Sequence, residues 1–202
     1  MMKILVFLHG TTIMHRSALG LTREERVRQV VEGLDKSLRA FHDCVPVGDA
    51  ATKLRDWKRQ GAEILYLTSH RNPSDVEKDK TVLRRNAFPE GPIFFRQGNE
   101  KYSDIAERIL PDVLIEDDCE SIGGEPEMVY PHVRPELKQC IKSIVVKEFG
   151  GIDYLPDLLS ELLDYHDQAA SQRLRCVRKR TQTRKMYPES DTADSVPVKC
   201  LN

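Results

Sequence analysis

The chain has no aspartate before Asp35, so its opening apolar run, Lys3-Ile4-Leu5-Val6-Phe7, ends with no carboxylate beside it. It has no Cys-x-x-Cys spacing either. Its five cysteines, Cys44, Cys119, Cys140, Cys176 and Cys200, are scattered and odd in number. That argues against a disulfide framework or a zinc knuckle, and for a reducing, cytoplasmic setting. No stretch approaches the roughly 20 apolar residues of a membrane span. The run Ile4–Leu8 is too short for a signal-peptide core and no small-residue cleavage site follows it. Neither sign of charge dominates: 31 Lys and Arg against 32 Asp and Glu leave a net −1. There is thus no global field to draw in nucleic acid or a membrane surface.

What is present is ordinary for a globular protein. At 202 residues, 40% hydrophobic and 31% charged, the chain suits one domain with a full core and a tail. Five short apolar runs read as buried strands: Lys3–Phe7, Glu63–Leu67, Pro92–Phe95, Val113–Ile115 and Ser143–Val146. Helical patterns separate them, as in a doubly wound parallel α/β sheet.

Thr22-Arg23-Glu24-Glu25 is a capping box, and Val27, Val30, Val31, Leu34, Leu38 and Phe41 form one stripe behind it. The stripe is expected to pack as a second layer over the sheet, with a small lid as the alternative. Asp49 is expected to cap a helix carrying Leu54 and Trp57 that stops at Gly61. Ser74-Asp75-Val76-Glu77 reads as a second capping box, opening a helix to about Arg85. Further helices are expected over Tyr102–Leu110, behind Pro135, and from Pro156 to about His166. Residues 1–169 form the expected domain. Residues 170–202, a basic run followed by a polar stretch, read as a frayed or disordered tail. No aromatic platform interleaves its charges, so nucleic-acid binding is not expected.

In an open parallel sheet, ligands sit beyond the carboxyl ends of the strands. Polar residues gather there. His9, Gly10, Thr11 and Thr12 follow the first strand, Thr68, Ser69, His70 and Arg71 the second, and Glu116, Asp117 and Asp118 the fourth, while Lys101 precedes the helix leading into the fourth. Hydroxyls at strand ends can bond phosphate oxygens, a lysine offsets their charge, and Gly10 permits a tight anion-binding turn. The paired acids Asp117 and Asp118 have the chemistry of Mg²⁺ ligands, though Asp118 also suits a helix cap. His9 can serve as a base, or as a metal ligand with Asp117 and His70. Thr11 or Thr12 could act as nucleophile if His9 were its base, but no group to orient His9 is visible. Cys119 follows the acids directly, and neighbouring carboxylates oppose thiolate formation.

Taken in order, these segments resemble the motifs of the haloacid dehalogenase (HAD-like) superfamily over about residues 2–150. Gly10-Thr11 aligns with the Gly-Thr of its first motif, Asp-x-Asp-Gly-Thr. That puts Phe7 at the nucleophile and His9 at the acid/base aspartate. Ile64–Thr68 is similar to the second motif and Lys101 to the third, with Arg96 as an alternative basic group. Val113–Asp118 is similar to the fourth, and the segment Asp112–Asp118 most resembles the metal-binding motif of the small 5′-nucleotidase branch.

The resemblance implies a Rossmann-like three-layer sandwich with minimal or no cap. Counting only the five strands above, it implies sheet order 5-4-1-2-3, with His9 facing Asp117. It also implies a degenerate site, since both first-motif aspartates are absent. The expected function is binding of a phosphorylated small molecule or anion through Gly10, Thr11, Thr68, Ser69 and Lys101, without aspartyl-phosphate catalysis. Mg²⁺ on Asp117 and Asp118 would be weakly held. The alternative is a phosphatase- or nucleotidase-like hydrolase with rewired chemistry, His9 activating a water on a metal held by Asp117. Leu5–Gly10 is also similar to the His-Gly loop of α/β-hydrolases, but the Gly-x-Ser-x-Gly elbow of that fold is missing.

Overall fold

A computed structural model gives the fold, described over residues 1–33 and 41–166. The chain forms two compact units, Met1–Tyr165 and His166–Asn202. Beyond His166 the second lies outside the described residues, and with it the tail expected over 170–202. No helix among the described residues is long and apolar enough to cross a membrane.

Five parallel strands form the main sheet: β1 (Lys3–Phe7), β4 (Glu63–Leu67), β5 (Ile93–Phe94), β6 (Val113–Asp117) and β7 (Lys142–Val146). Their order is β5-β4-β1-β6-β7. Counted among themselves along the chain, they read 3-2-1-4-5 from one edge and 5-4-1-2-3 from the other. The full numbering differs because two short strands, β2 (Ile13–His15) and β3 (Cys44–Pro46), intervene and pair antiparallel in a separate sheet. β1 is central, in register with β4 on one side and β6 on the other. Its carboxyl end therefore opens between theirs.

Strand alternation builds a core on each face. Ile4 and Val6 join Ile64, Tyr66, Val113 and Ile115 beneath α2 (Ala50–Arg59) and α3 (Pro73–Arg85), which contribute Leu54, Trp57, Val82 and Leu83. Leu5 joins Leu65, Leu67 and Leu114 on the other face, beneath Ile105 and Ala106 of α4 (Tyr102–Ile109). A sheet covered on both faces explains why its strands read as continuous apolar runs. Trp57 is fully buried, and its indole N–H donates to the Pro156 carbonyl at 3.0 Å. That bond ties the segment after β7 to α2.

Several elements differ from their sequence expectations. α1 (Arg23–Val31) has the Thr22/Glu25 capping box, but none of its residues is buried and Val31 is exposed. It is not a packed layer over the sheet. Val30 instead joins the wall of the strand-end cavity, and Leu34 and Leu38 lie outside the described residues. Asp49 makes no side-chain cap; its backbone N–H donates to Asp153 Oδ1 at 2.9 Å. α3 starts at Pro73 with Asn72 as its N-cap, two residues ahead of the expected cap Ser74, because proline's fixed φ suits the first helical position. Behind Pro135 the helix α5 stops at Lys138, and after Pro156 the described chain holds one 3₁₀ turn, Leu159–Glu161, in place of a helix.

Candidate functional site

A cavity of about 430 Å³ opens over the carboxyl ends of β1, β4 and β6. Phe7 lines it from the end of β1, His9 and Gly10 from the loop after β1, Ser69 from the connection after β4, Asp117 from the end of β6 and Cys119 from just beyond it. Ile13, Met14 and His15 of β2 and Val30 of α1 close one side; Arg96, Tyr102, Glu148 and Phe149 contribute elsewhere. A groove of about 510 Å³ lies at the β5 edge among Lys80, Arg84, Glu90 and Ile93, away from the strand-end residues.

His9 belongs to a network centred on Asp79, which is fully buried on α3. Asp79 Oδ2 accepts the Thr68 hydroxyl at 2.7 Å and lies 3.0 Å from His70 Nδ1. Oδ1 lies 3.4 Å from His9 Nε2. Burial raises the Asp79 pKa, but the contacts from His70, His9 and Thr68 more than offset this and hold the carboxyl well below its usual range. The other His9 nitrogen, Nδ1, is 3.1 Å from the hydroxyl of Ser69, an exposed residue. Thr68 Oγ1 is also 3.5 Å from Nδ1. Its single proton, however, points to Asp79.

His9, His70 and Asp79 place donor atoms within 4.8 Å of one another. Oδ2 already accepts the Thr68 hydroxyl and has His70 Nδ1 beside it, while Oδ1 faces His9 Nε2, so the carboxylate is surrounded by donors from three side chains. The sequence reading missed Asp79. Its signal was an acid on the apolar stripe of α3, since Val76, Asp79, Val82 and Leu83 are that helix's buried residues.

The acids at the end of β6 are tied into the scaffold. Asp117 Oδ2 accepts the Thr11 hydroxyl at 2.7 Å and Oδ1 the Cys119 N–H at 2.9 Å. Burial raises the Asp117 carboxyl, with those two donors opposing. Asp118 accepts from Lys147 Nζ at 2.7 Å and the Glu148 N–H at 3.0 Å. Burial raises the Asp118 pKa, but these contacts outweigh it and hold the carboxyl low. Glu116, buried, accepts the Val129 and Tyr130 N–H groups, and burial lifts its carboxyl to about 7 against them. Burial and the surrounding carboxylates raise the Cys119 thiol, which keeps it protonated.

This donor set does not fit Mg²⁺. Both carboxylates expected to hold it are engaged, Asp118 by a cation, and Phe7 beside them on the cavity wall offers no ligand atom. Asp118 does not enter the cavity lining, and it bonds the 147–148 backbone and side chain instead of capping a helix after β6.

The expected phosphate contacts separate. Thr11 and Thr68 are fully buried with their hydroxyls committed to Asp117 and Asp79, so neither faces a ligand. Lys101 lines a neighbouring cavity of about 280 Å³ with Ser103, Met128 and His132. Arg96 lines both cavities, with its guanidinium 3.8 Å from the centroid of the Tyr102 ring. Tyr102 also packs edge-on against Phe7, with centroids 5.2 Å apart. Gly10 and Ser69 remain on the cavity wall. Gly10 has φ +85°, and a Cβ there would stand 2.8 Å from Asp117 Oδ2, so the first-strand loop requires glycine.

The sequence matches no protein-family model. It matches no curated protein. Among solved structures it is similar to a chain of the Pnkp1/Rnl/Hen1 complex, at 14% identity and a TM-score of 0.44, covering 72% of this chain and 46% of that one. A second structure of that RNA repair complex gives the same identity and TM-score, with 44% of its chain covered. The chain thus spans less than half the length of these two. A class C acid phosphatase from Bacillus anthracis with tungstate bound matches at 13% identity and TM-score 0.48, over 86% of this chain and 78% of that one. A D,D-heptose 1.7-bisphosphate phosphatase from B. bronchiseptica complexed with magnesium and phosphate matches at 11% and 0.36, over 60% and 73%. Likenesses this distant carry no activity across.

Proposed function

We propose that the protein is a HAD-like binding protein that takes a phosphorylated small molecule or comparable anion in the strand-end cavity, without aspartyl-phosphate chemistry. One observation carries this reading: the Arg96 guanidinium sits over the Tyr102 ring, 3.8 Å from its centroid, at the cavity wall, while the position that would attack phosphorus is Phe7, packed against the same ring. A stacked guanidinium is a pre-organised anion contact. A phenylalanine can neither attack phosphorus nor ligate a metal. The resemblance in motif order and the parallel sheet support the same assignment. Gly10 and Ser69 supply wall contacts and His9 an imidazole beside them. Arg96 takes the role first given to Lys101.

Calorimetric titration with phosphate monoesters, paired with the corresponding neutral alcohols, tests the reading. Monoesters are expected to bind and the alcohols not to, with Arg96→Ala weakening binding by about tenfold or more, the size of one charge-assisted contact. Mg²⁺-dependent release of phosphate, abolished by Asp117→Asn, would overturn it.

A further inference from the structure

Ser69, His9 and Asp79 stand in series, from an exposed hydroxyl at the cavity wall to a buried carboxylate. Ser69 Oγ is 3.1 Å from His9 Nδ1, and His9 Nε2 is 3.4 Å from Asp79 Oδ1. The proton positions follow from the neighbours. Nε2 faces the Asp79 carboxylate oxygen at 3.4 Å, longer than a close hydrogen bond, and the tautomer that suits that neighbour carries its proton on Nε2. In neutral imidazole Nδ1 then holds a lone pair. Thr68 cannot donate to that lone pair, because its proton goes to Asp79 at 2.7 Å. Ser69 is therefore the hydroxyl that donates there. The His70 and Thr68 contacts on Oδ2 fix the carboxylate from behind. Ser69 also sits two residues past β4, in the connection leading to α3, a position from which a nucleophile can meet a ligand lying over the sheet.

We propose that Ser69 is a nucleophile, His9 its general base and Asp79 the residue that positions His9, and that the chemistry is hydrolysis of a small carboxylic ester. Resting on the function proposed above, the ester's anionic end would face Arg96 on the same cavity wall. As Ser69 Oγ bonds the carbonyl carbon, its proton passes to His9 Nδ1. The carbon–alkoxide bond then breaks and the leaving oxygen takes that proton. Water repeats the sequence: one proton goes to Nδ1, its oxygen bonds the acyl carbon, and Ser69 Oγ leaves and recovers the proton. The sum is ester plus water to acid plus alcohol, with no redox change. The relay has the three roles of a hydrolase triad, with the two imidazole nitrogens exchanged. It needs neither the missing first-strand aspartate nor a metal.

The test uses the full chain with p-nitrophenyl butyrate, its ω-carboxylate analogue and a fluorophosphonate reagent. The expected result is a covalent adduct mapped to Ser69 and ester turnover that falls about 100-fold or more in Ser69→Ala and His9→Gln. Asp79→Asn should lower kcat per folded molecule, the folded fraction being measured by thermal unfolding, with KM unchanged, which loss of folded protein alone would not produce. Because Asp79→Asn also removes a buried contact, the exposed Ser69→Ala, checked by thermal unfolding, keeps the proposal falsifiable. An unlabelled Ser69 in folded protein, turnover intact in Ser69→Ala, or turnover abolished by a chelator would each overturn it. Equal turnover of the neutral and anionic esters would sink the Arg96 anchoring and leave the serine chemistry standing. No turnover of either would sink the serine chemistry alone.

Discussion

Replacing Asp79 by asparagine tests the buried end of the network most sharply. The carboxylate accepts the Thr68 hydroxyl at 2.7 Å on one oxygen, which also lies 3.0 Å from His70 Nδ1, and faces His9 Nε2 at 3.4 Å with the other. An amide has a single acceptor oxygen. With the imidazole protons where the carboxylate favours them, its NH₂ meets an N–H or O–H donor whichever way it turns, and at least one buried donor loses its acceptor. Such a loss costs about 1–3 kcal/mol, and the remaining bonds lose their charge assistance. The expected destabilisation is about 2–4 kcal/mol. In urea this appears as a lower midpoint with an unchanged slope. A cycle with Thr68→Val should give a coupling of about 1 kcal/mol or more, because the two groups touch.

The acid limb of the stability curve is a second readout of the same change. The fold holds this carboxyl below its ordinary value. Its contribution is therefore complete above about pH 3.9 and lost as pH falls toward the folded value. Asp79→Asn should flatten that limb. A loss under about 0.5 kcal/mol, within the range of an ordinary surface substitution, would refute the reasoning.

Other outcomes follow from the same contacts. Glu116 is raised to about 7, so stability should decline as pH climbs from about 4.3 toward that value. Glu116→Gln should remove the decline in melting curves taken across that range. Gly10→Ala forces a left-handed residue against Asp117 Oδ2 and should cost about 1–3 kcal/mol, read as a lower Tm. Neither Mg²⁺ nor EDTA should move the melting temperature, since the acids at the end of β6 are already paired; a rise with Mg²⁺ would reveal a site there.

The strands were legible because a sheet covered on both faces needs continuous apolar runs, and Ile4, Leu5 and Val6 bury in opposite layers with no polar interruption. The gathering of polar residues at the strand ends was legible for the same reason, since each run stops where its polar residues begin. What the sequence hid is partnership. Nothing local to Thr68 or Thr11 says that their hydroxyls turn inward to Asp79 and Asp117, carboxylates brought up by α3 and β6. The placement of α1 was equally hidden. An apolar stripe demands cover, but Val30 finds it at a cavity wall rather than on the sheet. Capping was misread where a stronger local rule prevailed: Pro73 sets the start of α3 ahead of Ser74.

The most direct test of the account is a ¹H–¹⁵N correlation titration of the protein with a phosphate monoester in the presence of Mg²⁺, followed over hours for released inorganic phosphate. The expected result is saturable shifts at Gly10, Ser69 and Arg96, absent in Arg96→Ala, with no phosphate released. Spectra that do not move, or steady phosphate release from the wild-type protein, would contradict it.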